Sequence, residues 1–580
     1  MERGCREQHS CATCVASTSA LLSMQCKWCP ISKLCSSPSE LSVACGDVSH
    51  PSWMTAGCAA PPSSLIAPSI VQPELSPAVW FLTADEILMA RGGAPRSEAV
   101  YTSGNTATLL PSGKAVFDAF ADGLQALGNG SSVYISGWDI APSMPLSPER
   151  PDVTVTSALD AAQQRGAVTR GLAWYNVDRF KVLFSLTEQV KAYNELPSTA
   201  ATGSSIHLDT RSPRPTGSIH QKFFWMRDEG GLEHAVVGGV DLTWARWDTE
   251  TRTAAEQAAR TKHMMGPDGP GPGRVDRAVS LAGPAASDVG NVFAGRWNDP
   301  DPPKPENAAR TKEWQSESHK VPLSTPSSQP AKGPHHVQVL LTASCGYWCV
   351  HCATQQEYPW APLGDSSIHA LILKGFRTAK AHVYIEDQYA NLVTDYRTEI
   401  ERALMRGVRF VVLTNDAENT NVKACTASQY AMWAALRTAY PSLLSIFTPT
   451  KLQPSDVAPI YVHSKTYIFD DVLYVTGSAN MNNRSSYHDT ELNAGVIDDT
   501  HTQTPDGITV ATFAHEARLD QWAALTRTPS QALRNMTFAQ GAALFGGEST
   551  ITRRLELPAS NDRAVNMAIC SASDPGSTCH

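Results

Sequence analysis

The sequence predicts an α/β fold built twice over: two similar halves, each a mixed sheet with flanking helices, behind a small cysteine-rich N-terminal module. Three observations carry this. A helical apolar pattern delivers into a short apolar strand in each part of the chain. A His-x-Lys pair recurs with 463 − 220 = 243 residues between the histidines. Eight of the 14 cysteines crowd into the first 58 residues, while the rest of the 580-residue chain has an ordinary globular composition, 42% hydrophobic and 18% charged. At roughly 100–200 residues per domain, this length predicts three or four structural units.

The first unit, residues 1–60, holds Cys5, Cys11, Cys14, Cys26, Cys29, Cys35, Cys45 and Cys58. That density reads as a disulfide framework formed in an oxidising compartment, so the chain is expected to be secreted or to reside in the secretory lumen. Zinc is the competing reading, because Cys11-x-x-Cys14 and Cys26-x-x-Cys29 have ligand-like spacing; the other four cysteines have no place in one tetrahedral site. Sequons at Asn129 and Asn535 are compatible with glycosylation, and a third at Asn483 lies inside a motif discussed below. No signal peptide is visible at the N-terminus, and no apolar run reaches the 18 or more residues of a membrane span.

Residues 61–78, rich in Pro and Ser, read as a linker. The first half follows over 79–298, with a helix over Lys114–Leu127 and a buried strand over Ser132–Trp138. Gly266–Arg274 reads as a surface loop, and the polar, proline-rich stretch 299–336 as a second linker. The second half, 337–556, repeats the order: a helix over Ser366–Ala381, a strand over His382–Tyr389, a helix over Arg397–Arg406 and a strand over Val408–Leu413. Residues 557–580 form a tail. Six later cysteines, Cys345, Cys349, Cys352, Cys425, Cys570 and Cys579, are disulfide candidates whose pairing spacing does not reveal.

The chemistry concentrates in two stretches. In 458–485, His463 and Lys465 lie two apart on a predicted strand and so face one ligand; Asp470 follows, then Gly477-Ser478-Ala-Asn480. In 214–248, His220 and Lys222 repeat the geometry, followed by Arg227-Asp228 and Gly238-Gly239-Val-Asp241. Imidazole, ammonium and amide together suit a phosphodiester, with Ser478 and Asn480 as neutral donors to phosphate. The net charge of −9 argues against a nucleic-acid partner. His234, His382 and His488 read as packing or surface residues. Trp138, Trp225, Trp244 and Trp247 are candidates for an acyl-chain entrance or for the core.

These motifs resemble the phospholipase D superfamily, and GGVDLTWARWD, GPAASD and GSANMNNRS resemble its eukaryotic-type subgroup. The resemblance runs from about Tyr134 to Asn493. Cys5-x5-Cys11-x2-Cys14 followed by CKWCP resembles a plexin–semaphorin–integrin (PSI) module, which is extracellular and structural in its family. The first resemblance implies two pseudo-duplicated halves with the active site between them, and a phospholipid at a membrane surface as partner. It also implies headgroup hydrolysis or transfer to alcohols through a phosphohistidine, with His220 as nucleophile and His463 as acid/base, and with no metal or other cofactor. One departure stands out: family spacing places the motif aspartate five residues after the lysine, which is Asp470 in the second motif but Arg227 in the first. A one-residue bulge would bring Asp228 into that place; otherwise the first motif lacks its acid. Asp470, and Asp228 with the bulge, are expected to orient a histidine. A nuclease of the same superfamily and an inactive binding protein are the alternatives.

Overall fold

The computed structural model describes residues 71–175, 184–213, 217–264, 273–301, 303, 314, 316–348, 355–391, 393–416, 423–450, 460–548 and 550–557. It also describes two short antiparallel strands, Lys27–Cys29 and Leu34–Ser36. Otherwise the cysteine-rich module and the tail beyond residue 557 lie outside the described residues. Cys345 is disulfide-bonded, and every other cysteine side chain lies outside the described residues. Among the described residues, no helix is long and apolar enough to cross a membrane.

In the first half, Ser112 caps α1 (Gly113–Gln125) through the Ala115 N–H, and Val116, Phe117, Phe120 and Leu124 form its buried stripe. The strands are β1 (Thr102–Leu110), β2 (Ser132–Gly137), β3 (Val168–Trp174), β4 (Ser205–Asp209), β5 (Phe223–Arg227), β6 (Glu233–Gly238), β7 (Gly273–Val275) and β8 (Ala278–Ala282). Helix α2 (Pro284–Trp297) closes the half, starting with Pro at its first position and buried on nearly every side. The second half contributes β9 (His335–Ala343), α3 (Ser367–Thr378), β10 (His382–Asp387), α4 (Thr394–Met405), β11 (Arg409–Leu413), β12 (Leu444–Pro449), β13 (Ile460–Val462), β14 (Lys465–Phe469), β15 (Leu473–Gly477), β16 (Glu491–Asp498) and α5 (Thr512–Thr526).

The duplication is visible in the strand order. From the middle outward, the first half runs β1-β8-β6-β5-β2-β3-β4 and the second β9-β16-β15-β14-β10-β11-β12, joined by an antiparallel β1–β9 contact into one sheet. In each half the last two of these pairings are parallel and the rest antiparallel, and in the second half Thr552–Arg554 adds an antiparallel edge to β12. The expectation of two mixed-sheet halves holds, with the addition that the halves share a sheet edge. The sheet also folds back on itself, bringing β6 and β8 against β15 and β16. One apolar cluster therefore draws on both halves, including Tyr134, Trp225, Phe293 and Trp297 from the first and Ile468, Tyr474, Leu492 and Trp522 from the second.

Two sequence expectations change. The described part of 299–336 is not a free linker. Trp314 is buried against Trp297, with ring centroids 5.0 Å apart, and Asn298 holds both polar groups of Val321. Apolar and amide side chains spaced among the prolines dock this segment on α2. Gly273 and Arg274 belong to β7 rather than to a surface loop, because a parallel partner, β13, comes to them from the other half.

Candidate active site

Both motif histidines stand just ahead of a strand, not within one: His220 before β5 and His463 between β13 and β14. Each is delivered by pairing with the opposite half. Ile219 bridges Thr490, and the His220 N–H donates to the Thr490 carbonyl at 2.9 Å. In mirror fashion, β7 pairs with β13, and the His463 N–H donates to the Val275 carbonyl at 2.8 Å. An acid follows each pairing residue. His220 Nδ1 lies 2.9 Å from Glu491 Oε2, and His463 Nδ1 lies 2.7 Å from Asp276 Oδ2. A carboxylate on Nδ1 fixes the tautomer that leaves the Nε2 lone pair free. Neither Nε2 has a hydrogen-bond partner among the described residues.

The two lysines are buried beside them. Lys222 Nζ donates to the His220 carbonyl at 3.0 Å and pairs with Asp241 at 3.4 Å. Lys465 Nζ donates to Gln388 Oε1 at 2.9 Å and to the His463 carbonyl. Burial, then Lys222 and Lys465, hold His220 well below its ordinary pKa; burial, then Lys465, Arg246, Arg274 and Lys222, do the same to His463. The cross-half pairings at Thr490 and Val275 bring the two motifs together, and each histidine accordingly feels both lysines. Burial brings Lys465 down to about 7 against the pull of Asp276. Burial and the like charge of Asp489 push Glu491 up to about 8, opposed by Lys222 and the Ser478 and Ser485 hydroxyls.

The expected roles of the motif aspartates do not survive. Strand β5 pairs with β6 in unbroken register from Phe223↔Val237 to Arg227↔Glu233, so no bulge forms there. Asp228 falls in the hairpin turn, where its carboxylate accepts the Leu232 N–H at 2.9 Å, away from either histidine. Asp470 is buried but serves the backbone: its carboxylate accepts the N–H groups of Lys380, Ala381 and His382 at 2.7–2.8 Å. It also sits in a left-handed turn (φ 52°) that Asp tolerates better than most residues. Ser478 is likewise committed, donating to Glu491 Oε2 at 2.6 Å, so it braces the carboxylate instead of meeting phosphate. Among the described residues Asn480 makes no side-chain hydrogen bond, and its Oδ1 is buried without a partner there; of the two expected phosphate donors it alone stays uncommitted.

Sequence reasoning missed Asp276, Glu491 and Ser485, whose hydroxyl donates to Glu491 Oε1 at 2.6 Å. A signal exists: each carboxylate stands at or just before the strand that pairs with the second strand of its half's motif hairpin, β8 or β16. His234, His382 and His488 are structural. His234 Nε2 bonds Ser280 at 2.6 Å, His382 pairs with Asp471 at 3.2 Å, and His488 is fully buried. Trp225 and Trp247 are core residues, whereas Trp138 and Trp244 are half-buried.

Residues 372–506 match the family described as "Cardiolipin synthase, PLD-like domain". Phospholipase D1 of Mus musculus is 26% identical over 288 residues, which cover 41% of this chain and 25% of that protein. Phospholipase D1 of Cricetulus griseus is 26% identical over 268 residues, covering 38% and 24%. The chain thus spans about a quarter of the length of these relatives. Among solved structures, phosphatidylserine synthase of Haemophilus influenzae Rd KW20 aligns over 77% of this chain and 87% of its own, with 13% identity and a TM-score of 0.46. Residues 372–506, which include the second motif, are thus similar to a PLD-like domain.

Proposed function

We propose that this protein is a phospholipase D-type phosphodiesterase, which hydrolyses the headgroup ester of phospholipids such as phosphatidylcholine, or transfers the phosphatidyl group to an alcohol. The observation that supports this most is the pair of imidazoles, each with Nδ1 on a carboxylate and Nε2 free, beside two buried lysines. A phosphodiester anion repels hydroxide, so the site must neutralise charge and supply a better nucleophile. Neutral His220 meets the second need: its Nε2 forms a bond to phosphorus as the bond to the headgroup oxygen breaks. His463, neutral in the free protein, takes up a proton on Nε2 beside the bound phosphodiester anion and gives it to the departing alcohol. Water then adds to phosphorus, its proton passes to His463, the P–N bond breaks, and phosphatidic acid leaves. Lys222, Lys465 and the uncommitted Asn480 amide stabilise the phosphoryl oxygens; one such donor contributes about 3 kcal/mol to the transition state.

Glu491 and Asp276 hold the histidine tautomers and offset imidazolium charge as it forms. The substrate is presented at a membrane surface, and the crowding of cysteines near the N-terminus supports an oxidising, secretory compartment for this chemistry. The test is to incubate purified protein with phosphatidylcholine vesicles and ethanol. Phosphatidylethanol and phosphatidic acid are expected, both lost in His220→Ala. Absence of either product from any phospholipid would sink the reading.

A further inference from the structure

The carboxylates closest to the two histidines all have partners, whereas two guanidiniums close to His463 form no ion pair among the described residues. Arg246 and Arg274 are half-buried, and the Nε of each is sealed from solvent with no hydrogen-bond partner among the described residues. Arg274 stands in β7 in register with Tyr461, two residues ahead of His463, and its guanidinium lies 5.4 Å from the Tyr461 ring centroid. The next residue, Val275, accepts the His463 N–H, and the one after, Asp276, holds its ring. Arg246 follows Ala245, a left-handed residue (φ 63°) whose N–H reaches the Met264 carbonyl at 3.1 Å and whose carbonyl accepts from Arg260 at 3.3 Å.

The acids at hand are taken. Asp248 accepts from Arg252 Nε at 3.1 Å, from Gln257 at 2.8 Å and from the Arg274 backbone N–H at 2.6 Å. Asp276 belongs to His463. Neither guanidinium forms an ion pair among the described residues, and each acts on its neighbours accordingly. Both depress His463, and Arg274 itself is brought down to about 9, by burial first and by Arg246 next. Two like-charged forks held together without an anion are costly, and a bound anion removes that cost.

We propose that Arg246 and Arg274 form a second anion subsite on the His463 side of the cleft, which selects phospholipids whose headgroup carries a second phosphate. This rests on the phospholipase reading above, in which His463 stands by the departing headgroup alcohol. The guanidinium fork matches phosphate oxygens two at a time. A cationic headgroup such as choline meets the opposite field there, and the Tyr461 ring face that could have received a quaternary ammonium already faces Arg274.

The experiment compares the full chain on detergent micelles of phosphatidylcholine with micelles of cardiolipin, whose headgroup carries a second phosphodiester. Wild type should favour cardiolipin by at least about tenfold in kcat/KM, the factor of one charge-assisted hydrogen bond. Arg274→Gln should cut that ratio at least about fivefold, and Arg246→Gln should do the same if loss of the Tyr461 contact unfolds the first variant. Thermal melts monitor the fold of both. Phosphatidylcholine turnover with no preference for cardiolipin, or a ratio unmoved in the folded variants, overturns this subsite and leaves the phospholipase reading standing. Cleavage of an oligonucleotide with no lipid turnover overturns that reading, and with it the lipid assignment made here.

Discussion

The two halves hold their histidines by one device built from different parts. In one pairing, Glu491 reaches His220 with both oxygens also bonded by serine hydroxyls, Ser478 and Ser485, each at 2.6 Å. In the other, the shorter Asp276 reaches His463, and the place corresponding to Ser478 is Gly239. A Cβ at Gly239 would come within 2.2 Å of Asp276 Oδ1 and 3.3 Å of the His463 carbonyl. The longer acid thus leaves room for a supporting hydroxyl, and the shorter one brings the backbone too close for any side chain. The hairpins differ as well. Strand β5 runs on through Arg227, whereas β14 stops at Phe469 and turns at once, and that turn is what Asp470 fastens. The lesson is that positions matched by motif need not carry matched work.

The severest test removes the rings. His220→Ala and His463→Ala should each lower kcat by roughly 10⁴-fold, and the double variant should be little worse than either, because the pair acts as a unit. Single-turnover assays with thermal melts check this; strictly additive losses would mean that the two halves do not share a reaction. Next come the carboxylates. Glu491→Gln and Asp276→Asn should each cost roughly 10²–10⁴-fold in kcat, because an amide donor facing Nδ1 favours the wrong tautomer. A wild-type rate in either variant would show that its half does not need the device.

The glycine–serine exchange sharpens the contrast further. Gly239→Ser forces Asp276 to move and should lower kcat at least tenfold together with the melting temperature. Ser478→Gly removes one donor from Glu491 and should cost roughly 1–2 kcal/mol of stability or less. Equal effects would mean that the halves are more alike than their packing indicates.

Asp470→Ala strips three buried amides of their acceptor and should destabilise the fold by roughly 2–4 kcal/mol, with activity falling only as the folded fraction falls. Asp228→Ala, in the exposed β5–β6 turn, should stay within roughly 0.5 kcal/mol of wild type. A dead but fully folded Asp470→Ala would restore that carboxylate to the chemistry.

The smallest expected effect is on pH dependence. With Lys465 at about 7 in the free protein, its cation is present below that pH and lost above it, so kcat/KM should decline as pH rises through 7. On the acid side, both histidines stay neutral to well below 6.5, so the limb set by the nucleophile should lie lower than an ordinary histidine's. A profile flat from pH 6 to 9 would contradict the lysine assignment.

Local spacing in the sequence determined a good deal here. Apolar periodicity gave α1, α3, α4 and the strands β2, β10 and β11 to within a few residues, because a buried face imposes its period on neighbouring positions. The repeated His-x-Lys spacing picked out both pairs, although their histidines stand ahead of the strands. Only the tertiary structure decided what serves them. Glu491 is 271 residues from His220, and Asp276 is 187 from His463; each reaches its ring through strand pairing between halves. Such pairing depends on which remote edges meet, and a lone acid beside a strand carries no local mark of its partner. For the same reason an aspartate at motif spacing, Asp470, turned out to fasten a hairpin, and a proline-rich stretch proved to be packed. Spacing along the chain reports what neighbours share, while the placement of a charge between two halves is set by long-range contacts alone.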